Sequence, residues 1–497
     1  MAHINEALLA KANAHKKPLI QREVAPISVC EIKADSKAFQ GLAVKKCSDL
    51  TLPLTLAPKE SVLLDFGEHL VGYLTFSLVQ RGLIVDSPVK LRFSFGEFPL
   101  EIAKPKEEYR GWLGSGWLQY EDKSVVFAPY RTTLERRYSF RYLLIERMDS
   151  SALTVDFTEL FATAQSAVSL SDAAEYHAKD ARMQRIYDFS VNTLKECEQD
   201  VYEDGPKRDR RLWIGDLRLQ ALTDYRVFRN LDLIRRCIYL HAACLTEEDK
   251  VAPCVFPDSF PYVDDWTFAD YSLYLSSCVW DYTEHTGDVT LAEELYDLCL
   301  KQAEWVGRDF TVKSFIDWCP GLENEVAFPC VYRYTLAHLK GLAEQLGRDT
   351  AWIDSELVRM KEFILSYYDA NVGLFVTKSG QVSEHSQVWA CLSGVLSQTE
   401  CAAILAKLPT LDTKFTMRTP YMIHYYLEAL VGAGMETVAA DKIRTYWGLM
   451  LDAGFDCCPE AFNPNDDFES PYGAPEVNSA CHAWSCTPAY WIPKLGL

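Results

Sequence analysis

Apolar and polar positions change their rhythm once along the chain, near residue 168. Before it, short runs alternate with a period of two, as in SVLLDFGEHLVGYLTFSL with its Gly-containing turn. KLRFSFGEF, SVVFAPY, YSFRYLLIERM and LTVDFTELFA repeat the style. Half-buried strands read this way, and no helical pattern separates them, so residues 26–168 are expected to form an antiparallel β-sandwich. Residues 1–25 read as a polar lead-in that could be helical. From about Leu170 the rhythm becomes helical. DARMQRIYDFSVNTLKECEQDV puts Met183, Ile186, Tyr187, Val191, Leu194 and Cys197 on one face. FADYSLYLSSCVWDYTEHT, VYRYTLAHLKGLAEQLG and YMIHYYLEALVGAG are among the segments that follow suit, giving roughly a dozen helices of ordinary length. Helices paired in such number predict an (α/α)6 barrel over residues 169–497. An open helical array is the alternative, but no fixed repeat length supports it. The last stretch, from Phe455, is loop-rich yet crowded with Tyr472, Trp484, Tyr490 and Trp491, and it is expected to cover an opening of the barrel.

Composition narrows the partners. A net charge of −20 across 497 residues leaves no basic footprint for nucleic acid or an anionic membrane. No stretch of about 18 apolar residues is present to span a bilayer. MAHINEALLAKANAHKKPLIQ lacks the apolar core of a signal peptide, and the 16 cysteines show no CxxC pair or zinc-finger spacing. Together these predict reduced thiols and a cytoplasmic protein. The 12 Trp and 26 Tyr suit sugar stacking and a helical core equally. Nothing suggests a nucleotide loop, a serine elbow, a cofactor or a metal site.

One stretch concentrates chemistry. DGPKRDRRLWIGD carries Asp204, Asp209 and Asp216 among Lys207, Arg208, Arg210, Arg211 and Trp213. Gly205-Pro206 breaks the preceding helix, and Asp216 suits the N-cap of the helix after it, so the acids belong to a loop at helix ends. Composition alone favours a solvated loop with internal ion pairs. A second acidic cluster, Asp456, Glu460, Asp466, Asp467 and Glu469, invites the same plain reading. His482 in SACHAWS reads by itself as a structural histidine or a metal ligand, and His385 and His424 as core or lining residues.

Taken in order, these motifs resemble a known family. DFGEHLVGYLTF, the FGE of RFSFGEF and RRYSFRYLLIE are similar to the N-terminal region of the α-L-rhamnosidases of glycoside hydrolase family 78, six-hairpin glycosidases. DGPKRDRRLWIGD resembles their signature D-C-P-x-R-E-R-x-G-W-x-G-D, and CCPEAF followed by SACHAWS resembles their W-E and S-x-x-H-G-W-S segments. The shared order makes the match specific. The resemblance implies an inverting hydrolase that releases terminal L-rhamnose from a small α-linked conjugate. It implies Asp209 as general acid, Glu460 as general base, and Asp204, Arg208, Trp213, Asp216 and His482 as sugar-holding or tuning residues. Asp270, Tyr271 and Trp318 match sugar-contacting positions in looser motifs.

The chain departs from the pattern at several places. Asp209 stands where the family has Glu, Gly205 where it has Cys, Leu212 for Gly, and Pro459 for Trp. Because the chain ends soon after the histidine motif, no C-terminal β-domain is expected. An acid at Asp209 must hold a proton near neutral pH. Asp204 and Asp216 are therefore expected to face it, with most of the basic side chains turned outward or paired with those two acids. Another six-hairpin glycosidase or phosphorylase with a different sugar, and a non-catalytic sugar-binding protein, stay open as alternatives, and so does a homodimer.

Overall fold

The protein, as a computed structural model, is described over residues 3–82, 87–151, 153–257 and 260–497. Its β-region is organised by one long strand, Ser61–Arg81. Alternation along it sends Leu64, Phe66, Leu70, Leu74, Phe76 and Leu78 into one apolar core with Phe93, Phe140 and Phe157. The first half pairs with Tyr138–Arg147 and the second with Thr154–Ser166, both antiparallel. The exchange falls at Gly72, which stands opposite both Tyr138 and Ala164. Ser28–Ala34 and Tyr130–Thr133 take the strand's other side. Because one strand serves both sets of neighbours, ten strands are joined in a single antiparallel hydrogen-bonded network, among the described residues.

The lead-in is more structured than its polarity suggests. Asn5 caps the helix Glu6–Ala14 by accepting the Ala7 and Leu8 amides at 3.1 and 3.2 Å. That helix packs on Leu231–Ala243, with Ala12 fully buried. Ile20–Val24 then adds an edge strand beside Thr154–Ser166. The strand is largely exposed, so it shows no alternation to read. The lead-in thus touches both halves of the molecule.

In the helical region every second helix is buried nearly all round. Ile214–Asp224 packs on Ala269–Thr286, which packs on Ala327–Gln345, then Glu384–Leu392, then Pro420–Gly432. A single turn, Ala483–Ser485, touches both Pro420–Gly432 and Ile214–Asp224, so this run of contacts closes on itself. The helices between them are less evenly buried: Ala351–Leu365 buries only Ile353, Met360 and Ile364, whereas Leu231–Ala243, which also packs on Glu6–Ala14, is buried over most of its length. The loop-rich end does more than cover an opening, because its turn is one member of that circuit. No helix is long and apolar enough to cross a membrane, among the described residues.

Charged pairs join sheet and helices beneath the loop that begins at Asp204. Arg137 donates to both Glu203 oxygens at 2.7 and 2.6 Å. Arg141 bridges Asp65, at 2.9 and 3.0 Å, to Asp456, at 2.8 Å. A Cβ at Gly72 would stand under 3.0 Å from the backbone of Thr163. Gly72→Ala should therefore cost about 1–3 kcal/mol as the two strands are forced apart. The control Gly114→Ala, with open space around it, should change stability by less than about 0.5 kcal/mol. Thermal unfolding of the two variants checks this, and equal midpoints would refute it.

Candidate active site

The loop that follows Asp204 is stapled by Asp204 itself. Its two carboxylate oxygens accept the Arg211 and Asp209 amides at 3.0 and 3.1 Å, curling the chain back on itself. Gly205 makes the curl passable, since a Cβ there would collide with the Arg208 carbonyl oxygen. This accounts for glycine at that position. The chain then runs extended through Leu212–Trp213, paired with Cys254–Val255, and enters a helix at Ile214. Asp216 consequently lies inside the first helical turn and does not cap it, a correction to the expected helix start. The small strand pair holds Trp213 extended and makes it the cap residue instead.

The four basic residues divide, and not as expected. Lys207 and Arg210 turn away from Asp209, but into the protein rather than outward. Lys207 donates to the Glu476 and Asn478 carbonyls at 3.1 and 2.7 Å and pairs with Glu101 at 2.8 Å. Arg210 donates to the Pro206 and Arg137 carbonyls at 2.8 and 2.6 Å. Arg208 and Arg211 face Asp209 itself, at 3.3 and 3.8 Å, rather than pairing with Asp204 or Asp216. The reason is local: both Asp204 oxygens are already taken by backbone amides.

Arg208 joins the two ends of the chain. It is 3% exposed, and its guanidinium reaches Asp209 on one side and Glu460 at 2.6 Å on the other. Its Nε donates to the Val477 carbonyl at 3.1 Å, and its plane lies 3.9 Å over the Tyr472 ring. The Tyr472 hydroxyl donates to the other Glu460 oxygen, while the Trp484 indole holds the Glu460 carbonyl at 2.8 Å. Both oxygens of Glu460 are thus fixed by side chains.

Behind this pair lies a group of buried, uncharged polar residues. Burial, then the charge of Asp209, raises the Asp204 carboxyl to about 8. Burial, then Asp204 and Glu460, raises Asp216 well above the carboxylate range. His482 stands between them, its ring nitrogens 3.8 Å from Asp204 and 3.6 Å from Asp216. Burial, then Arg208, lowers it to about 3, so the imidazole is neutral at pH 7.

A half-open cavity of about 180 Å³ lies where these groups meet. Sites for drug-sized ligands span roughly 300–1,000 Å³, so this one holds a single small unit. Asp204, Arg208, Asp209, Trp213, Asp216, Tyr271, Trp318, Glu460 and His482 all line it, nine of the ten residues expected from the sequence. Asp270 does not. Its carboxylate accepts the Phe315 and Ile316 amides at 3.0 Å, and burial raises it to about 6. It anchors the loop that presents Phe315 and Trp318. Trp266, Phe268, Phe315, Tyr472 and Trp484 also line the cavity and were not expected in it. DDWTFADY had shown Trp266 and Phe268 beside Tyr271, but no spacing separates such aromatics from core. Among the described residues, the group with metal-ligand geometry is His69, Cys457 and Cys481, apart from this cavity, and not His482.

Residues 26–164 match the N-terminal domain of glycosyl hydrolase family 78 α-rhamnosidases, and residues 171–495 match the bacterial α-L-rhamnosidase six-hairpin glycosidase domain. The chain belongs to family 78. A rhamnosidase from Klebsiella oxytoca, solved with rhamnose bound, is 35% identical over 100% of both chains, with a TM-score of 0.96. The family 78 rhamnosidase of a Bacillus species shares the fold at 21% identity and TM-score 0.73, over 89% of this chain and 47% of its own. A Streptomyces avermitilis α-L-rhamnosidase complexed with L-rhamnose does so at 14% and 0.65, over 96% and 44%. No curated protein matches the chain. As a member of family 78, this protein is a glycoside hydrolase.

The shift at Asp204 predicts a pH effect. A carboxyl raised from 3.8 to about 8 contributes stability that is full below the unfolded value and lost as pH rises through the folded one. Asp204→Asn, neutral at every pH, should flatten the fall of the thermal midpoint between about pH 5 and pH 8. Parallel midpoint-against-pH curves for the two proteins would contradict this.

Proposed function

We propose that this chain is an inverting α-L-rhamnosidase that removes terminal rhamnose from a small α-linked conjugate. In this reading a β-sandwich over residues 26–168 supports an (α/α)6 barrel over 169–497, and the closed run of helix contacts supports the barrel. The observation that carries the reading is the Arg208 bridge, which joins Asp209 and Glu460, both lining one sugar-sized cavity. The bound rhamnose of the Klebsiella relative supports the choice of sugar. The free state of all 16 cysteines supports a reducing, cytoplasmic setting.

Inversion needs an acid at the leaving oxygen and a base across the ring, about 6.5–9.5 Å apart, with a water beside the base. Asp209 suits the first role by position. Its side chain is 19% exposed, against 7% for Asp204 and 3% for Asp216, so it alone of the three stands where a leaving group departs. Glu460 suits the second. Arg208 and Tyr472 fix its carboxylate toward the sugar face from which water would attack. Trp213, Tyr271 and Trp318 offer ring faces to the apolar C–H patches of the sugar. Neutral Asp204, Asp216 and His482 can donate as well as accept, which matches sugar hydroxyls.

The roles separate by leaving group. Asp209→Asn should lose about 10²–10⁴ in kcat on an alkyl α-L-rhamnoside, and much less on the p-nitrophenyl rhamnoside, whose leaving group needs little protonation. Glu460→Gln should lose a similar factor on both. NMR should show β-L-rhamnose released first. Undiminished alkyl rhamnoside turnover in Asp209→Asn removes it as the acid, and first release of the α anomer ends the inverting scheme.

A further inference from the structure

Behind the cavity, where the sheet meets the helices and the C-terminal loop, His69, Cys457 and Cys481 converge. They come from the long strand Ser61–Arg81 and from two loops that flank Glu460 and His482. All three are buried, and one ligand atom from each lies within 4.8 Å of the others. A fourth candidate stands beside them: Cys197, at the end of the helix Ala181–Cys197, has its sulfur 3.8 Å from that of Cys481. Two thiolates bound to one zinc at about 2.3 Å, with tetrahedral angles, lie about 3.8 Å apart.

The histidine gives an independent sign. Its Nε2 is occupied by Ser139 at 3.0 Å and Glu97 at 3.2 Å, the kind of outer support that orients a ligating imidazole. Its Nδ1 is buried with no hydrogen-bond partner, an arrangement that costs stability unless something binds there. The nearest carboxylate, Glu196, stands 3.7 Å from it and is paired with Lys195 at 2.6 Å. Glu97 is faced in turn by Lys207. Both nearby acids therefore have cations of their own, and the free nitrogen faces the sulfurs. Asn192 donates to the Cys457 sulfur at 3.4 Å, as an amide does to a thiolate ligand.

We propose that His69, Cys457 and Cys481 form a structural zinc site, completed when the neighbouring Cys197 side chain turns toward them, that ties the sheet and the helix end to the loop bearing Glu460. Each thiol gives up its proton as its sulfur binds Zn²⁺, and the imidazole binds as the neutral base, so no oxidant or reductant is involved. Because the ligands are buried, the ion is taken up as the chain folds. The site holds no substrate, and the proposal does not depend on the hydrolase reading.

The test begins with the unmodified enzyme, grown in zinc-supplemented medium and purified under reducing conditions without chelator. Elemental analysis should find one zinc per chain that survives desalting. Refolding in cobalt(II) should give the thiolate charge-transfer and tetrahedral ligand-field bands in the visible spectrum. Cys457→Ser and Cys481→Ser should each retain less than about a tenth of the zinc. Cys47→Ser, which removes an exposed thiol, should retain all of it. A folded, rhamnoside-cleaving enzyme with neither zinc nor a cobalt spectrum overturns the site and leaves the hydrolase untouched. Full zinc in Cys481→Ser overturns it as well.

Discussion

A single buried guanidinium holds this molecule's two chemical ends together. Arg208 is withdrawn from water, and a lone cation so placed would cost several kcal/mol. It is tolerated because four partners converge on it: Asp209 from its own loop, and Glu460, the Val477 carbonyl and the Tyr472 ring from a loop some 250 residues away. None of the later three is in place unless the C-terminal loop has docked. Removing one partner would leave the charge uncompensated, at a cost of about 3–5 kcal/mol. Docking of that loop and correct placement of Glu460 are therefore one event.

The same logic extends into the β-region, which lends no residue to the cavity but fixes the loop beneath it. Lys207, two residues before Asp209, is fully buried and spans from Glu101 on the sheet side to carbonyls of the C-terminal loop. Glu97 accepts the Ala480 amide at 2.6 Å, two residues from His482. Arg137 grips Glu203, immediately before Asp204. Each contact is a charge taken from water and answered by a charge or amide across the boundary. Such pairs add little net stability but tolerate no sliding, because a shift leaves an ion unpaired. They set position more than strength.

Sequence reading reached the parts of this arrangement that repeat or match. Period-two alternation exposed the strand positions on both sides of the glycines but read a turn where Ser61–Arg81 runs on as one strand, and helical periodicity exposed the inner helices. The family resemblance carried nine cavity residues into place. It failed where a residue's partner lies far along the chain. Asp270 sits beside Tyr271, so its motif could not tell a sugar contact from an anchor for the amides of residues 315 and 316. Tyr472 and Trp484 stood out as aromatics of the covering segment, but their contacts with Arg208 and Glu460 form only after closure, so their sequence did not place them in the cavity. The basic residues of DGPKRDRRLWIGD all look alike in sequence. Their division into two that face Asp209 and two that turn inward depends on which carbonyls and acids the sheet and C-terminal loop supply. The edge strand Ile20–Val24 was silent for the opposite reason: an exposed strand has no buried face to leave a trace.

Burial gives the cavity a chemical character that its composition hides. Three aspartates and a histidine in close company would, in water, be three anions beside a base near its titration point. Enclosure raises Asp204 and Asp216 and lowers His482, so that all three are uncharged where the sugar would lie. An ionised carboxylate only accepts hydrogen bonds; a carboxylic acid or a neutral imidazole both gives and takes them, as a hydroxyl requires of its partner. Neutrality also leaves Arg208 as the cation that addresses Asp209 and Glu460, undiluted by nearer anions. Asp209 is the more exposed of the two and is shared between Arg208 and Arg211, while Glu460 is pinned through both oxygens. In the proposed hydrolysis, that asymmetry would let one carboxyl follow a departing oxygen while the other holds a water still.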